Sequence, residues 1–306
     1  MTAPRIAIGP TPSKSATEAV RAGGGEPTGI DAAADAIVWL APGDTDGLRQ
    51  ALDAAPSARW VQLPMAGVER VAAAGVFDTT RVWTSAKGSY AEPVAEHALA
   101  LALAGLRVLG RRAVARSWGT PAGLSLYGER VTILGAGGIT DSLLELLAPF
   151  RVRATVVRRT PEPAPGAERT WPQDRLHEAL SEARVVFLAL ALTPSTDQII
   201  GSAELAAMLP DAWLVNVARG RHIDTDALVA ALKDGVIGGA ALDVTDPEPL
   251  PDGHPLWDLE NCLITPHTAN TWQMATPLLA QRITDNVARF AAGQPLVGLV
   301  DPESGY

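Results

Sequence analysis

The sequence predicts an α/β fold built from doubly wound parallel sheets, and three observations predict it. Short apolar, β-branched runs alternate with amphipathic stretches of helical spacing along most of the chain. Alternation of this kind gives a parallel sheet covered by helices on both faces. One run, Val131–Leu134, leads into Gly135-Ala136-Gly137-Gly138 and then an amphipathic stretch to Leu147, which reads as strand, glycine turn, helix. The length of 306 residues is enough for two domains, each with its own core.

In the first 90 or so residues, strands are expected at Arg5–Ile8, Ala36–Leu40, Trp60–Leu63 and Arg81–Thr84. Helices are expected at Ser15–Ala22, Thr45–Ala54 and Gly67–Ala73, and Gly23-Gly24-Gly25-Glu26-Pro27 reads as loop by composition. Glu92-Pro93-Val94 opens a long helix with proline in its first turn. Its middle is apolar on nearly every side, so a subunit contact or the core must cover it. Arg107, Arg111, Arg112 and Arg116 lie toward its C-terminal end, where cations suit the helix dipole.

Residues 129–271 carry a second α/β unit. Its expected strands are Val131–Leu134, Ala154–Arg158, Val185–Leu190, Trp213–Val217, Gly239–Val244 and Cys262–Thr265. The helices between them include Asp174–Glu182, Ser202–Met208 and Thr225–Lys233, the last with Asp224 as N-cap and Gly235 as its stop. After His267 a helix is expected at about Pro277–Phe290, followed by an extended tail.

Apolar residues make up 47% and charged residues 19%, which excludes a disordered chain. The net charge of −9 argues against nucleic-acid and anionic-membrane partners. The single cysteine, Cys262, has no internal partner, the N-terminus lacks a basic-plus-apolar leader, and the apolar run at Ala98–Leu106 is too short to span a bilayer. A soluble, cytoplasmic protein without a metal site is expected.

The residues that carry chemistry stand at expected strand ends. Gly135 permits a tight turn and Gly137 a close approach of backbone to a pyrophosphate at the helix N-terminus, with Gly138 and Ile139 beginning that helix. Arg158-Arg159-Thr160 stands where a dinucleotide fold usually offers an acidic side chain to the ribose hydroxyls. The two arginines are either solvated loop residues or ligands of a 2′-phosphate, which would favour NADP over NAD. Arg219, in Asn216-Val217-Ala218-Arg219-Gly220, is either a surface ion-pair partner or a fixed guanidinium for a carboxylate. Leu242-Asp243-Val244-Thr245-Asp246-Pro247-Glu248-Pro249 places one carboxylate at a strand end and another between two prolines. Leu263-Ile264-Thr265-Pro266-His267 adds a histidine just past a strand end. Together, Arg219, Glu248 and His267 make an acid–base site suited to an alcohol–ketone pair.

These residues resemble the D-isomer-specific 2-hydroxyacid dehydrogenase family, from Met65-Ala66-Gly67-Val68 through Val94-Ala95-Glu96-His97 and the Gly135 turn to Glu248-Pro249 and Pro266-His267. The branch nearest in character is the NADPH-using glyoxylate/hydroxypyruvate reductases, because of Arg158 and Arg159. The resemblance implies two Rossmann- or flavodoxin-like domains with the active site in the cleft between them. Residues 1–92 with 274–306 would form the substrate-binding domain, and 93–273 the nucleotide-binding domain. It implies that Arg219 binds the substrate carboxylate and polarises the keto oxygen, and that His267 exchanges the hydroxyl proton. Glu248 pairs with His267 and strengthens it as a base, while Asp243 contacts the nicotinamide carboxamide. Leu192 belongs to the cofactor wall, and Ala66, Gly67 and Val68 offer backbone N–H groups to the carboxylate. A homodimer joined through the nucleotide-binding domain is implied.

Three departures stand out. Thr140 replaces the third glycine of the turn, Ala191 replaces a proline ahead of Leu192-Thr193-Pro194, and one strand of the first domain is reduced around Ile30. The expected activity is hydride transfer between NADP(H), or NAD(H), and a small D-2-hydroxy acid and its 2-keto acid, running as reduction. The alternatives are NAD-linked oxidation of a hydroxy acid and a non-catalytic nucleotide sensor or corepressor on the same fold.

Overall fold

The computed structural model describes residues 2–160 and 162–302. The expected domain limits at Met1 and at residues 303–306, and the end of the expected tail, lie outside the described residues. The chain divides into two compact units: residues up to Tyr90 together with those from Thr271 onward, and Ala91–Asn270.

The first unit runs β1 (Arg5–Gly9), α1 (Lys14–Ala22), β2 (Glu26–Thr28), β3 (Ala36–Trp39), α2 (Thr45–Ala54), β4 (Trp60–Gln62), α3 (Glu69–Ala73) and β5 (Val82–Thr84). Its five strands are parallel in the order β2-β1-β3-β4-β5. Ile6, Ile37, Trp60 and Val61 are fully buried in it, as a sheet covered on both faces requires. Ser13 and Asp44 cap α1 and α2 by accepting from the Ala16 and Gly47 amides at 3.1 and 2.9 Å. The expected loop at Gly23–Pro27 is corrected in part: Glu26–Thr28 pairs with β1 as the sheet's edge strand. Proline is tolerated at an edge, and no side-chain pattern in three residues could have revealed pairing. This short strand is the reduced one expected around Ile30.

The second unit runs α4 (Ala91–Leu106), α5 (Leu109–Ala113), β6 (Arg130–Leu134), α6 (Gly138–Leu147), β7 (Arg153–Val157), β8 (Arg169–Trp171), α7 (Leu176–Ser181) and β9 (Val185–Leu188). It continues with α8 (Ser202–Ala207), β10 (Trp213–Asn216), α9 (Thr225–Lys233), β11 (Gly239–Leu242) and β12 (Cys262–Ile264). The seven parallel strands lie in the order β12-β11-β10-β9-β6-β7-β8. Strand β8 was not expected; it pairs with β7 at the edge of the sheet.

The long helix expected from Glu92 is corrected. Val108 takes a left-handed φ of 50° and separates α4 from α5, so the arginines do not share one helix end. Arg112 instead reaches the carbonyls of Trp118 and Thr120, and Arg111 lies 3.9 Å from Glu260. The last helix, α10 (Trp272–Ala291), belongs to the first unit and begins five residues earlier than Pro277 suggested. Pro277 lies inside it, and Thr276 donates its hydroxyl to the Trp272 carbonyl at 2.6 Å. Thr284 of α10 donates to the Ala19 carbonyl of α1 at 3.2 Å.

Candidate active site

Because every strand of the second sheet is parallel, all their C-terminal ends lie along one edge. Read from β12 to β7, that edge carries His267, then Asp243 and the loop of Glu248, then Arg219, the loop after β9, Gly135 and finally Arg158. Five strand steps span about 24 Å. The strand order reverses between β6 and β9, the place where open α/β sheets bind ligands.

Gly135 has a φ of +109°, and a Cβ there would stand 2.2 Å from the Ala189 carbonyl oxygen, so only glycine lets the turn pass the end of β9. Gly137 precedes the first residue of α6, and a Cβ on it would meet nothing within 4 Å. Exposed backbone at a helix N-terminus with open space above it fits a pyrophosphate. Gly138 and Ile139 start α6 half-buried. Thr140 is fully buried and donates its hydroxyl to the Gly135 carbonyl at 3.0 Å. The departure from glycine therefore ties the helix to its turn.

Arg158 lies just beyond β7, its Nη2 3.0 Å from the Glu162 carboxylate and its Nη1 3.2 Å from the Glu162 carbonyl. Thr160 donates to the same carboxylate oxygen at 3.3 Å, and Arg159 is exposed. Leu192 is half-buried in a loop held by hydrogen bonds instead of by the missing proline. Thr196 donates to the Ala191 carbonyl at 2.8 Å and accepts from the Thr193 amide at 2.8 Å. His222, wholly buried, stands between the Thr196 carbonyl (2.9 Å) and the Leu190 carbonyl (3.2 Å). Burial and the charge of Arg219 push its pKa below 6.5, against the pull of the two carbonyls.

The turn after β10 is shaped by Asn216, fully buried. Its Nδ2 donates to the Arg219 carbonyl at 2.8 Å and its Oδ1 accepts from the Ala218 amide at 3.0 Å. Arg219 Nη1 donates to the Ala218 carbonyl at 2.7 Å. A Cβ on Gly220 would stand 2.0 Å from the Thr245 carbonyl group. The Arg219 turn is thus pressed against the loop that leads to Glu248, which is further tied by Thr225 to the Asp246 carbonyl and by Thr245 to the Pro247 carbonyl, both at 2.8 Å.

His267 Nδ1 is 2.7 Å from Glu248 Oε1. A carboxylate only accepts, so Nδ1 carries a proton and Nε2 is the ring nitrogen left outside this pair. His267 has a φ of +49°, an unusual backbone state for a non-glycine residue. Three consecutive amides hold that turn to Asp243. His267 donates to its carbonyl at 2.8 Å, Thr268 to Oδ1 at 2.8 Å and Ala269 to Oδ2 at 3.0 Å. Asp243 is only 2% exposed. Burial raises its pKa, but hydrogen bonds from His97, Thr265, Thr268 and Ala269 outweigh it and hold the carboxyl at about 2.

The structure therefore brings Arg219, Asp243, Glu248 and His267 to neighbouring strand ends of one sheet, beside the Gly135 turn. Ala66, Gly67 and Val68 belong to the other unit, in the loop between β4 and α3. Val68 is buried in that unit's core, and Ser85 donates to the Ala66 carbonyl at 3.3 Å. Sequence reasoning did not assign Asn216, His222, Thr265 or His97. A polar residue ending an apolar strand was the available signal for Asn216 and Thr265; His97 had its place in the Val94-Ala95-Glu96-His97 stretch, and His222 offered none.

A glycine turn at the switch point of a parallel sheet, with a guanidinium and a histidine–carboxylate pair along the same edge, defines a nicotinamide-dinucleotide oxidoreductase. The model of the D-isomer specific 2-hydroxyacid dehydrogenase family, NAD binding domain, matches residues 97–269. An "uncharacterized protein in proB 3'region" of Corynebacterium melassecola is 42% identical over 254 residues, 81% of this chain and 84% of that protein. A glyoxylate reductase of Thermococcus gammatolerans is 36% identical over 181 residues, 59% of this chain and 54%, about half, of its own length. The crystal structure of a D-isomer specific 2-hydroxyacid dehydrogenase from Xanthobacter autotrophicus Py2, in complex with NADPH and MES, superimposes with a TM-score of 0.84 at 26% identity, covering 100% of both chains. The chain belongs to the D-isomer specific 2-hydroxyacid dehydrogenase family and is an NAD(P)-dependent enzyme of that class.

Proposed function

We propose that the protein reduces a small 2-keto acid to the D-2-hydroxy acid with NADPH as the preferred donor. The 2.7 Å pairing of His267 with Glu248, beside the Arg219 turn, is the observation that carries this reading. A dinucleotide held at the Gly135 turn would supply the hydride. Arg219 binds the substrate carboxylate and polarises the keto oxygen; its turn is held by Asn216 and by the close approach at Gly220. His267 gives the developing hydroxyl its proton from Nε2, and Glu248 keeps the ring in the tautomer and orientation that allow it. Asp243, which anchors the His267 turn, would also hold the nicotinamide carboxamide when the dinucleotide is bound. Ala66, Gly67 and Val68 keep the role that the family resemblance gives them, as backbone donors to the carboxylate. Arg158, Arg159 and Thr160, with no acidic residue among them, support the 2′-phosphate and hence NADPH.

Among the described residues no helix is long and apolar enough to cross a membrane. A cytoplasmic homodimer is part of the proposal. Half-buried Leu99 and Leu103 with exposed Ala100 on α4, and a Trp118 side chain 96% exposed, are the apolar surfaces that support a second copy. Light scattering on the purified protein tests the dimer. The activity is tested by following NADPH and NADH oxidation over a panel of 2-keto acids that includes glyoxylate and hydroxypyruvate. NADPH-linked turnover is expected, and oxidation of neither cofactor with any member would remove the proposal.

A further inference from the structure

The mechanism above gives no role to the half-buried His97. His97, on α4, points at the C-terminal ends of β11 and β12, with Nε2 3.0 Å from Thr265 Oγ1 and 3.3 Å from Asp243 Oδ1. Thr265 Oγ1 is 2.6 Å from Asp243 Oδ1. Hydrogen-bond logic orders the three groups. A carboxylate only accepts, so the one hydroxyl proton of Thr265 goes to Asp243. The threonine oxygen must then accept from His97, which fixes a proton on Nε2. The result is a directed chain, His97 N–H to Thr265 O–H to the Asp243 carboxylate, and it ends on the group that gathers the amides of Thr268 and Ala269.

The geometry points to His97 as a positioning residue for the His267 turn, acting through the Thr265 hydroxyl and the Asp243 carboxylate. The turn needs such a device because His267 sits at a φ of +49° and its side chain is 54% exposed, so packing does not hold it. Main-chain carbonyls of Asp243 and Thr265 take the His267 amide, and the Asp243 carboxylate takes the next two amides. A carboxylate that turned about its own axis would release both. Thr265, steadied by His97, adds a third bond to the carboxylate, on the Oδ1 that also takes the Thr268 amide, and so resists that rotation. Helix α4 thereby reaches the orientation of the His267 turn through two intermediate groups. The inference rests on the reading of His267 as the proton-exchanging group.

The test uses His97→Leu with His97→Gln, and Thr265→Val with Thr265→Ser. Amide hydrogen exchange at Thr268 and Ala269 is measured in the cofactor-free protein, and kcat and KM are measured with NADPH and a 2-keto acid. His97→Leu and Thr265→Val are expected to speed exchange at both amides and to lower kcat, each by about tenfold. KM for the keto acid stays within about twofold, because Arg219 is held by a separate set of bonds. Gln and Ser, which keep a donor at the required place, restore most of both effects. A His97→Leu protein with a lower Tm but wild-type exchange and kcat would overturn the inference, as would Leu and Gln variants that behave alike. If His97→Leu does not fold, the Thr265 pair decides on the same criteria. If the wild-type protein turns over no 2-keto acid, faster exchange in the variants still supports the anchoring chain, and only the activity reading falls.

Discussion

The polar cluster around Gln62 in the first unit and the one around Asp243 in the second differ in charge and in what they hold. In the first unit Gln62, Thr84 and Asn286 are fully buried, and all three are neutral. Trp60 donates to Thr84 at 2.7 Å, Thr84 to Gln62 Oε1 at 2.9 Å, and Asn286 to the same oxygen at 2.9 Å. Asn286 Oδ1 then accepts the Val297 amide at 2.8 Å. The set closes on itself and ties α10, remote in sequence, to β4 and β5. In the second unit the cluster is built on a buried carboxylate and ends on the exposed turn of His267. A neutral network stabilises without charge; a charged one is retained here at the foot of the imidazole proposed to exchange the proton. Burying a charge is costly, so its retention is explained by what it positions.

The comparison breaks first at the reactive end. His267→Ala should lower kcat/KM by about 10³-fold with little change in unfolding free energy, since the removed side chain is half exposed. Steady-state kinetics with denaturant unfolding on the same samples checks both halves. Asn286→Ala should do the reverse. It leaves the Val297 amide and Gln62 Oε1 short of partners, at a cost of about 2–3 kcal/mol, with kcat unchanged. A kinetic defect in Asn286→Ala would mean the neutral cluster is not merely structural.

Acid sharpens the contrast because only the second cluster titrates. The Asp243 carboxyl is held near 2 against an ordinary 3.8, so the native state binds the proton less readily than the unfolded chain. Its contribution is fully present above pH 3.8 and is lost as pH falls through about 2; it amounts to about 2 kcal/mol. Unfolding free energies measured between pH 6 and pH 2 should show this slope in the wild-type protein and not in Asp243→Asn. The smallest effect belongs to a surface pair. Glu162 occupies the Arg158 and Thr160 groups that a 2′-phosphate would use, so Glu162→Gln should raise the NADPH-over-NADH preference by about two- to fivefold. Cofactor dissociation constants measured by fluorescence titration check it, and an unchanged ratio would detach the pair from cofactor choice.

Much of the second unit was legible because local chemistry and burial agree there. The strands at Val131, Val185 and Trp213 are apolar runs buried on both faces, and Thr225–Lys233 is bounded by its own cap and stop. Where a short element depends on a neighbour, the sequence was silent. Strands β2 and β8 have three residues each and exist by pairing with β1 and β7. The break at Val108 has no glycine or proline to announce it. Arg158 read as a phosphate ligand from its position, while the Glu162 that now engages it is four residues on and carries no motif.

By itself the sequence determined the parallel α/β class, the glycine turn and the chemical identity of the guanidinium, carboxylate and imidazole, because periodicity, turn chemistry and functional groups are local properties. Tertiary structure decided which groups meet. The backbone contact that seats Arg219 beside the Glu248 loop joins residues 220 and 245, and the anchor of the His267 turn joins 97, 243 and 265. Hydrogen bonds at that separation depend on the register of strands and the docking of a helix, and no pattern along the chain encodes either.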